Sequence, residues 1–135
     1  MQRKIARENA FILIFESVCK NDETAQEIFE KATEIRGLEY DDYVKNVFFG
    51  VYENFTKLDE AMEKHFTGWK KSRVSLVSLA ILRLGCYEIM FMDDIPARVS
   101  INEAIELSKK FDDEKSYTFV NGVLNAVAKE YSEKR

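Results

Sequence analysis

Three basic side chains open the sequence: Arg3, Lys4 and Arg7. Residues three or four positions apart on a helix are neighbours, so all three can present to one strip of surface. The exposed amide groups of a helix make its N-terminal end positive, and each cation placed there costs roughly a few tenths of a kcal/mol. A sequence selected only for stability would favour Asp or Glu. The arrangement therefore indicates a phosphate-binding surface, although chain starts are often basic without a functional reason.

A second candidate site lies near the end of the chain. Phe119 falls about one residue off the apolar stripe of the last predicted helix, beside Ser116, Asn121 and Gly122. A partly exposed ring flanked by small polar groups suits stacking of an unpaired RNA base. The alternative is a core phenylalanine, with Gly122 allowing close packing of helices, and the periodicity alone favours that alternative.

The sequence offers few residues for a metal site or a catalytic site. The sequence holds two cysteines, Cys19 and Cys86, and one histidine, His65, with no CxxC pair, so a zinc site has too few ligands. We find no GxSxG, GxGxxG or P-loop motif. We therefore expect no enzyme, no metal and no cofactor, and we expect both cysteines to be small buried side chains in a reducing cytoplasm.

The composition of the chain indicates its fold class. Its 135 residues include only five Gly and one Pro, which favours long helices joined by short links over a β-sandwich. No apolar run approaches the roughly 18 residues of a membrane span, and the N-terminus lacks the features of a signal peptide. We predict one cytoplasmic, all-α domain covering residues 1–135.

Charge is unevenly distributed along the chain, whose formal net charge is −4. Residues 1–7 carry bases and no acid, whereas residues 21–44 are rich in Asp and Glu. This asymmetry predicts a molecule with one surface for phosphates and another for a basic partner protein. Solvated helix faces are an equally good explanation of the acidic stretch.

Helical periodicity extends over the whole sequence and predicts these spans: 3–20, 24–36, 40–67 with a break near Thr56–Lys57, 73–91, 101–111 and 115–131. Gly37 is predicted to end the second helix, and Ser100 with Glu103 to form a capping box at the start of the fifth predicted span. The segment 73–91 is apolar on nearly every side, which is typical of a central buried helix. Charges on such a helix must be paired, so we favour structural ion pairs for Arg83 and Glu88.

Four segments of the sequence are distinctive: residues 95–107 (IPARVSINEAIEL), 119–124 (FVNGVL), 80–84 (AILRL) with Tyr87-Glu88, and 3–8 (RKIARE). In residues and in spacing they resemble the NusB family of transcription antitermination factors. The resemblance extends over nearly the whole chain and is strongest over residues 80–128.

The resemblance implies an all-α fold of two small packed helical bundles, with about six to seven helices. It implies binding, without catalysis, to boxA RNA of nascent ribosomal RNA transcripts together with NusE, a small-subunit ribosomal protein. The complex would join RNA polymerase and promote read-through of terminators. By position, Arg3, Lys4 and Arg7 match the family's RNA-contacting N-terminal segment. Ser116 and Phe119 match the start of the last helix, where the family also contacts RNA.

Three departures from the family pattern bear on RNA binding. Ser78-Leu79 stands where many members have an acid and a base, Thr118 stands where Lys is frequent, and the basic N-terminal run is short. Each lost phosphate contact lowers the salt slope of binding by about 0.7 for single strands. We therefore expect weak RNA binding by this protein alone, and dependence on its partner.

Two alternative functions remain open at this point. One is a protein-interaction module of the same fold with little or no RNA binding. The other is the helical RNA-positioning domain of a ribosomal RNA cytosine methyltransferase, which resembles this family; no cofactor-binding domain follows the predicted helices, which counts against it. A homodimer formed through an exposed apolar surface is also open.

Overall fold

A computed structural model describes residues 1–20, 22–68 and 70–134, and within these ranges every regular element is helical. The α-helices are, in chain order, α1 (Arg3–Cys19), α2 (Ala25–Glu30), α3 (Asp42–Glu63), α4 (Leu76–Phe91), α5 (Ala97–Phe111) and α6 (Ser116–Lys134). A π-helical segment, Lys31–Ile35, continues α2, and a 3-10 turn, Lys71–Arg73, precedes α4. The predicted all-α class is confirmed.

The helices form two small bundles that share one core. In the C-terminal bundle α4, α5 and α6 each pack against the other two; in the N-terminal bundle α1 packs against α2 and α3. Both α1 and α3 also pack against α4. The first helix is thereby held against the C-terminal bundle, which matters for the position of its basic residues.

The central position predicted for the segment 73–91 is confirmed by α4. Ala80, Ile81, Leu82 and Cys86 on this helix are fully buried. Gly85 lets α6 approach closely, since a Cβ atom there would lie 2.7 Å from Cδ1 of Leu124. No helix in the described ranges is long and apolar enough to cross a membrane.

Polar side chains fix the starts of three helices. Thr24 and Glu27 form a capping box at α2, Asp41 accepts a hydrogen bond from the Val44 amide at α3, and Ser75 accepts one from the Ser78 amide at α4. The chain after the π-helical segment turns at Gly37, whose φ of 73° is the left-handed conformation predicted for it.

Two predicted boundaries are wrong. No break occurs near Thr56–Lys57, because α3 continues to Glu63 and its apolar stripe stays buried at Leu58 and Met62. The predicted capping box at Ser100 is absent, because α5 already begins at Ala97 after Pro96. Proline fixes the backbone at the helix start, so Ser100 falls within the helix, where it is buried.

The two cysteines differ in environment. Cys86 is buried as predicted, and burial raises the pKa of its thiol to about 12. Cys19 is exposed, contrary to prediction, because it is the last residue of α1 and lies beyond the helix's buried stripe. Both thiols are free.

Candidate RNA interface

Two of the three basic residues predicted to bind phosphate, Arg3 and Lys4, lie on the surface in the first turn of α1. Arg3 and Lys4 are both exposed, and the guanidinium carbon of Arg3 lies 4.3 Å from the ring centroid of Tyr43. The first turn of α1 contains no acidic residue, and its N-cap residue, Gln2, makes no side-chain cap. The positive charge at this helix end is therefore uncompensated locally, and it is available to an anion.

Arg7, the third predicted base, is buried and only 5% exposed. Its Nε donates to Oε2 of Glu88 over 2.8 Å, and its Nη2 donates to Oε1 of the same carboxylate over 3.4 Å. Burial acts to lower the pKa of Arg7, but the hydrogen bond and charge of Glu88 outweigh it and raise the pKa above its ordinary value. The prediction that all three bases present to one strip of surface is therefore wrong for Arg7, because its guanidinium is held inside the fold by Glu88.

Glu88 joins four helices through one carboxylate that is 1% exposed. Besides Arg7 of α1, it accepts hydrogen bonds from the hydroxyl of Tyr43 on α3 and from Oγ of Ser100 on α5, the latter over 2.7 Å. Burial and the Glu88 charge raise the pKa of the Tyr43 phenol. The structural ion pair predicted for Glu88 is thus confirmed, with Arg7 as its partner.

The ion pair predicted for Arg83, the other charge on α4, is also confirmed. Its guanidinium donates from Nε and Nη2 to the two carboxylate oxygens of Asp59 on α3, over 2.9 and 2.7 Å. This bidentate pair accounts for a charge on the central helix without a ligand.

The last turn of α5 extends the basic surface of α1. Nζ of Lys110 lies 2.7 Å from Oε1 of Glu8 on α1, and the rings of Phe11 and Phe111 pack with centroids 5.0 Å apart. Lys4 is one helical turn before Glu8, so it lies on the side of α1 that faces the end of α5. The basic residues of α1 and α5 consequently belong to one surface.

Ser116 begins α6, next to this surface. Oδ1 of Asp113 accepts hydrogen bonds from the Ser116 amide over 3.0 Å and from its hydroxyl over 2.9 Å. The preceding carboxylate, Asp112, accepts from the hydroxyls of Ser75 and Ser78 over 2.8 and 2.6 Å. Burial would raise the pKa of Asp112, but these hydrogen bonds lower it below its ordinary value. Ser78 therefore ties α4 to Asp112, the C-cap residue that ends α5.

Phe119 is half-buried, and its ring contacts Phe66 edge-on, with centroids 5.1 Å apart. It borders an open groove of about 720 Å³, which Tyr117 and Gly122 also line. Gly122 does not serve close helix packing, because a Cβ there would meet nothing within 4 Å. The position of Phe119 thus combines the two interpretations of the sequence: part of the ring packs inward and part faces a groove.

Sequence reasoning missed Tyr117, the more exposed aromatic residue of this region. Its side chain is 39% exposed, and Nζ of Lys109 lies 5.1 Å from its ring centroid. Its position next to Ser116, in the first turn of the same predicted helix, was the signal that could have identified Tyr117 as a candidate site residue. The apolar stripe gave no reason to consider it, because the stripe selects buried rings.

A second groove, of about 400 Å³, lies between α1, α3 and α4. Three of its lining residues are among the exposed large hydrophobic side chains: Tyr52, Phe55 and Leu76. Clustered apolar side chains rimmed by polar ones are typical of protein interaction surfaces. This apolar groove begins at the N-terminal turn of α4, next to the hydroxyls that bind Asp112.

Fold and surface together define the class of the protein: an all-helical domain with a basic and aromatic face formed by α1, α5 and α6. No group of three or more potential metal-ligating side chains occurs within the described residues. Within this class the chain belongs to the NusB family, whose family model matches residues 4–129.

Relatives and solved structures cover almost the full chain. The transcription antitermination protein NusB of Bacillus licheniformis is 44% identical over 127 residues, which are 94% of this chain and 96% of the relative. The NusB of Clostridium perfringens is 44% identical over 133 residues, covering 96% and 98%. A crystal form of T. maritima NusB has a TM-score of 0.83 with 32% identity, covering 98% of each chain. A structure of the antitermination factors NusB and NusE in complex with double-stranded RNA has a TM-score of 0.83 with 30% identity, covering 97% of this chain and 100% of that one.

Proposed function

We propose that this protein is a transcription antitermination factor. It binds boxA-type single-stranded RNA of nascent ribosomal RNA transcripts together with NusE, and with RNA polymerase it promotes read-through of terminators. Family membership supports this function, and the observation that carries it in the structure is the contact of the basic N-terminal part of α1 with the end of α5, from which the chain continues into α6. The residues 1–135 act as one RNA-binding domain without catalysis.

The RNA contacts we propose are Arg3, Lys4, Ser116 and Phe119. Arg3 and Lys4 supply phosphate contacts at a helix end that is already positive. The hydroxyl of Ser116 donates to Asp113 and keeps its lone pairs for a donor on the RNA. Phe119 offers the outer part of its ring to a base in the groove that it borders.

NusE, in this proposal, docks in the apolar groove between α1, α3 and α4. The N-terminal turn of α4 borders this groove, and its residues Ser75 and Ser78 hold Asp112, the neighbour of the residue that caps α6. A protein seated in the groove therefore adjoins the RNA face. It can add its own contacts to the same RNA, which compensates for the short basic run of α1.

The function is tested by fluorescence anisotropy with a labelled boxA-type RNA, titrated with this protein alone and with saturating NusE. We expect weak binding alone and binding at least about tenfold tighter with NusE, since two linked proteins then contact one strand. A scrambled strand and the boxA strand annealed to its complement serve as controls for sequence and strandedness.

Two outcomes would contradict this proposal in different ways. Binding of NusE without RNA binding would favour the alternative, a protein-interaction module of the same fold. Sub-micromolar binding of boxA RNA at physiological salt without NusE would contradict the expected dependence on the partner.

The substitution Leu76→Asp tests the apolar groove as the NusE site. Leu76 is 49% exposed in the first turn of α4, where an acid suits the helix dipole, so folding should be preserved. We expect the variant to bind RNA alone as the wild type does, and to lose most of the tightening that NusE produces. Isothermal titration of NusE into both proteins measures the docking directly.

The matched control for this variant is Ile35→Asp, which puts the same charge on another exposed apolar position, at the end of the π-helical segment and not among the residues that line the groove. Equal NusE affinity of Leu76→Asp and wild type would rule out the groove. Sedimentation of both proteins without NusE tests the homodimer: dissociation of a wild-type dimer by Leu76→Asp would assign the groove to a second copy.

A further inference from the structure

We propose that Tyr117, with Lys109 above its ring, is a stacking platform for an unpaired RNA base. The inference rests on the proposed function, which it extends by one binding position and by the chemistry of what binds there: a nucleobase on the ring, with its adjoining phosphate at the ammonium. The family resemblance points to neither Tyr117 nor Lys109.

Packing and position distinguish Tyr117 from the other rings of this face. Phe119 uses part of its ring to contact Phe66, and Phe111, although 37% exposed, packs against Phe11. Tyr117 is 39% exposed and stands in the first turn of α6, adjacent to Ser116. It also lines the open groove that Phe119 borders. A base in this groove thus has two aromatic side chains beside it, of which Tyr117 offers the larger exposed area.

Lys109 supplies the charge that a nucleotide needs next to its base. Its Nζ lies 5.1 Å from the ring centroid, within the range of a cation–π contact, so it occupies one face of the ring. The opposite face remains for a base, since one side of a planar ring suffices for stacking. Lys109 is in the last turn of α5, the same turn that carries Lys110 and its contact with Glu8 of α1, so the platform lies at the end of α5 that contacts α1.

Another aromatic–lysine pair in the chain provides a matched control. Phe91, at the end of α4, is also 39% exposed, and Nζ of Lys57 lies 5.3 Å from its ring centroid. Phe91 has the same exposure and also a lysine near its ring, but it belongs neither to the groove nor to α5 and α6. Because Phe91 also stacks on Tyr87, with centroids 5.0 Å apart, a purely structural role predicts that Phe91→Ala affects RNA binding at least as much as Tyr117→Ala does.

The test uses boxA-type RNAs that each carry 2-aminopurine at one position, titrated with the full chain in the presence of saturating NusE. Stacking on an aromatic ring quenches the fluorescence of 2-aminopurine. We expect quenching at one or two positions with the wild type, loss of that quenching with Tyr117→Ala, and retention with Tyr117→Phe and Phe91→Ala. The RNA affinity of Tyr117→Ala should fall at least about fivefold, the lower end of the cost of losing one stacked base.

The possible outcomes distinguish failure of the stacking platform from failure of the proposed function. Unchanged quenching and affinity in Tyr117→Ala, with tight wild-type binding, would overturn the platform and leave the proposed function standing. Failure of wild-type protein and NusE to bind the RNA would overturn both. An equal affinity loss in Phe91→Ala would also overturn the platform, because the effect would then follow from folding.

Discussion

Replacing Glu88 with alanine is expected to lower the free energy of unfolding by about 3–5 kcal/mol, the usual cost of removing one partner of a buried ion pair. The substitution leaves the buried guanidinium of Arg7 with only the longer contact to Glu103, 3.9 Å from Nη1, and it removes the acceptor of the Tyr43 and Ser100 hydroxyls. Urea denaturation followed by circular dichroism measures the loss.

The control is Glu60→Ala, which removes an exposed carboxylate from α3 and should change the stability by less than about 0.5 kcal/mol. A double variant, Arg7→Met with Glu88→Met, separates charge from packing. Because it leaves no uncompensated charge, it should be more stable than Glu88→Ala. Equal losses for Glu88→Ala and Glu60→Ala would mean that the network contributes nothing to stability.

The Glu88 network also fixes the position of α1, the helix that carries two of the proposed RNA contacts. Its carboxylate holds α1, α3 and α5 against α4, and the Arg3 side chain one turn before Arg7 rests on Tyr43, a member of the same network. Arg3 and Lys4 thus project from a helix end whose position is fixed by the buried ion pair of Arg7 with Glu88. Of the three basic side chains, Arg7 orients α1, and the other two face solvent.

The helices and their central member could be predicted because those signals are local. Apolar periodicity, few chain-breaking residues and caps such as Gly37 act over a few residues, and the structure agrees with them. The rule that charges on a buried helix need partners correctly gave ion pairs for Arg83 and Glu88. It could not name Asp59 or Arg7 as those partners, which lie 24 and 81 residues away.

The boundary of α5 shows how a long-range interaction defeats a local motif. Ser100 and Glu103 have the spacing of a capping box, but Pro96 lets the helix begin earlier. The Ser100 hydroxyl then serves the Glu88 carboxylate instead of the backbone. Nothing within a few residues of Ser100 reveals that acceptor.

The burial of Arg7 could have been predicted from the sequence, because its position in the helix places it on the apolar stripe. It shares the stripe of Ala10 and Ile14, three and seven residues later, and both are buried. Charge and spacing alone treat the three bases as equivalent. Arg7 is distinguished from Arg3 and Lys4 by its place on the apolar stripe and by the need of the Glu88 carboxylate for a buried partner.

The double substitution Arg3→Ala with Lys4→Ala is expected to weaken boxA RNA binding in the presence of NusE roughly tenfold at low salt. The salt slope of binding should fall by about 0.7 for each phosphate contact removed. Both side chains are exposed at a helix end that cations destabilise, and relief of that repulsion offsets the lost contact of Arg3 with Tyr43, so the unfolding free energy should change by less than about 1 kcal/mol. Anisotropy titrations between 50 and 200 mM salt measure the affinity and the slope together.

A variant with the same change of net charge, Lys45→Ala with Lys57→Ala, separates local contacts from the overall field. Both lysines are exposed on α3, outside the proposed face. If it lowers the affinity and the slope as much as the first variant does, binding depends on net charge, and Arg3 and Lys4 do not contact RNA. Including Arg7→Ala would obscure this comparison, because loss of the buried pair destabilises the fold and lowers RNA binding by a route that involves no phosphate. Arg3 and Lys4 are therefore the substitutions in α1 that separate RNA contact from folding.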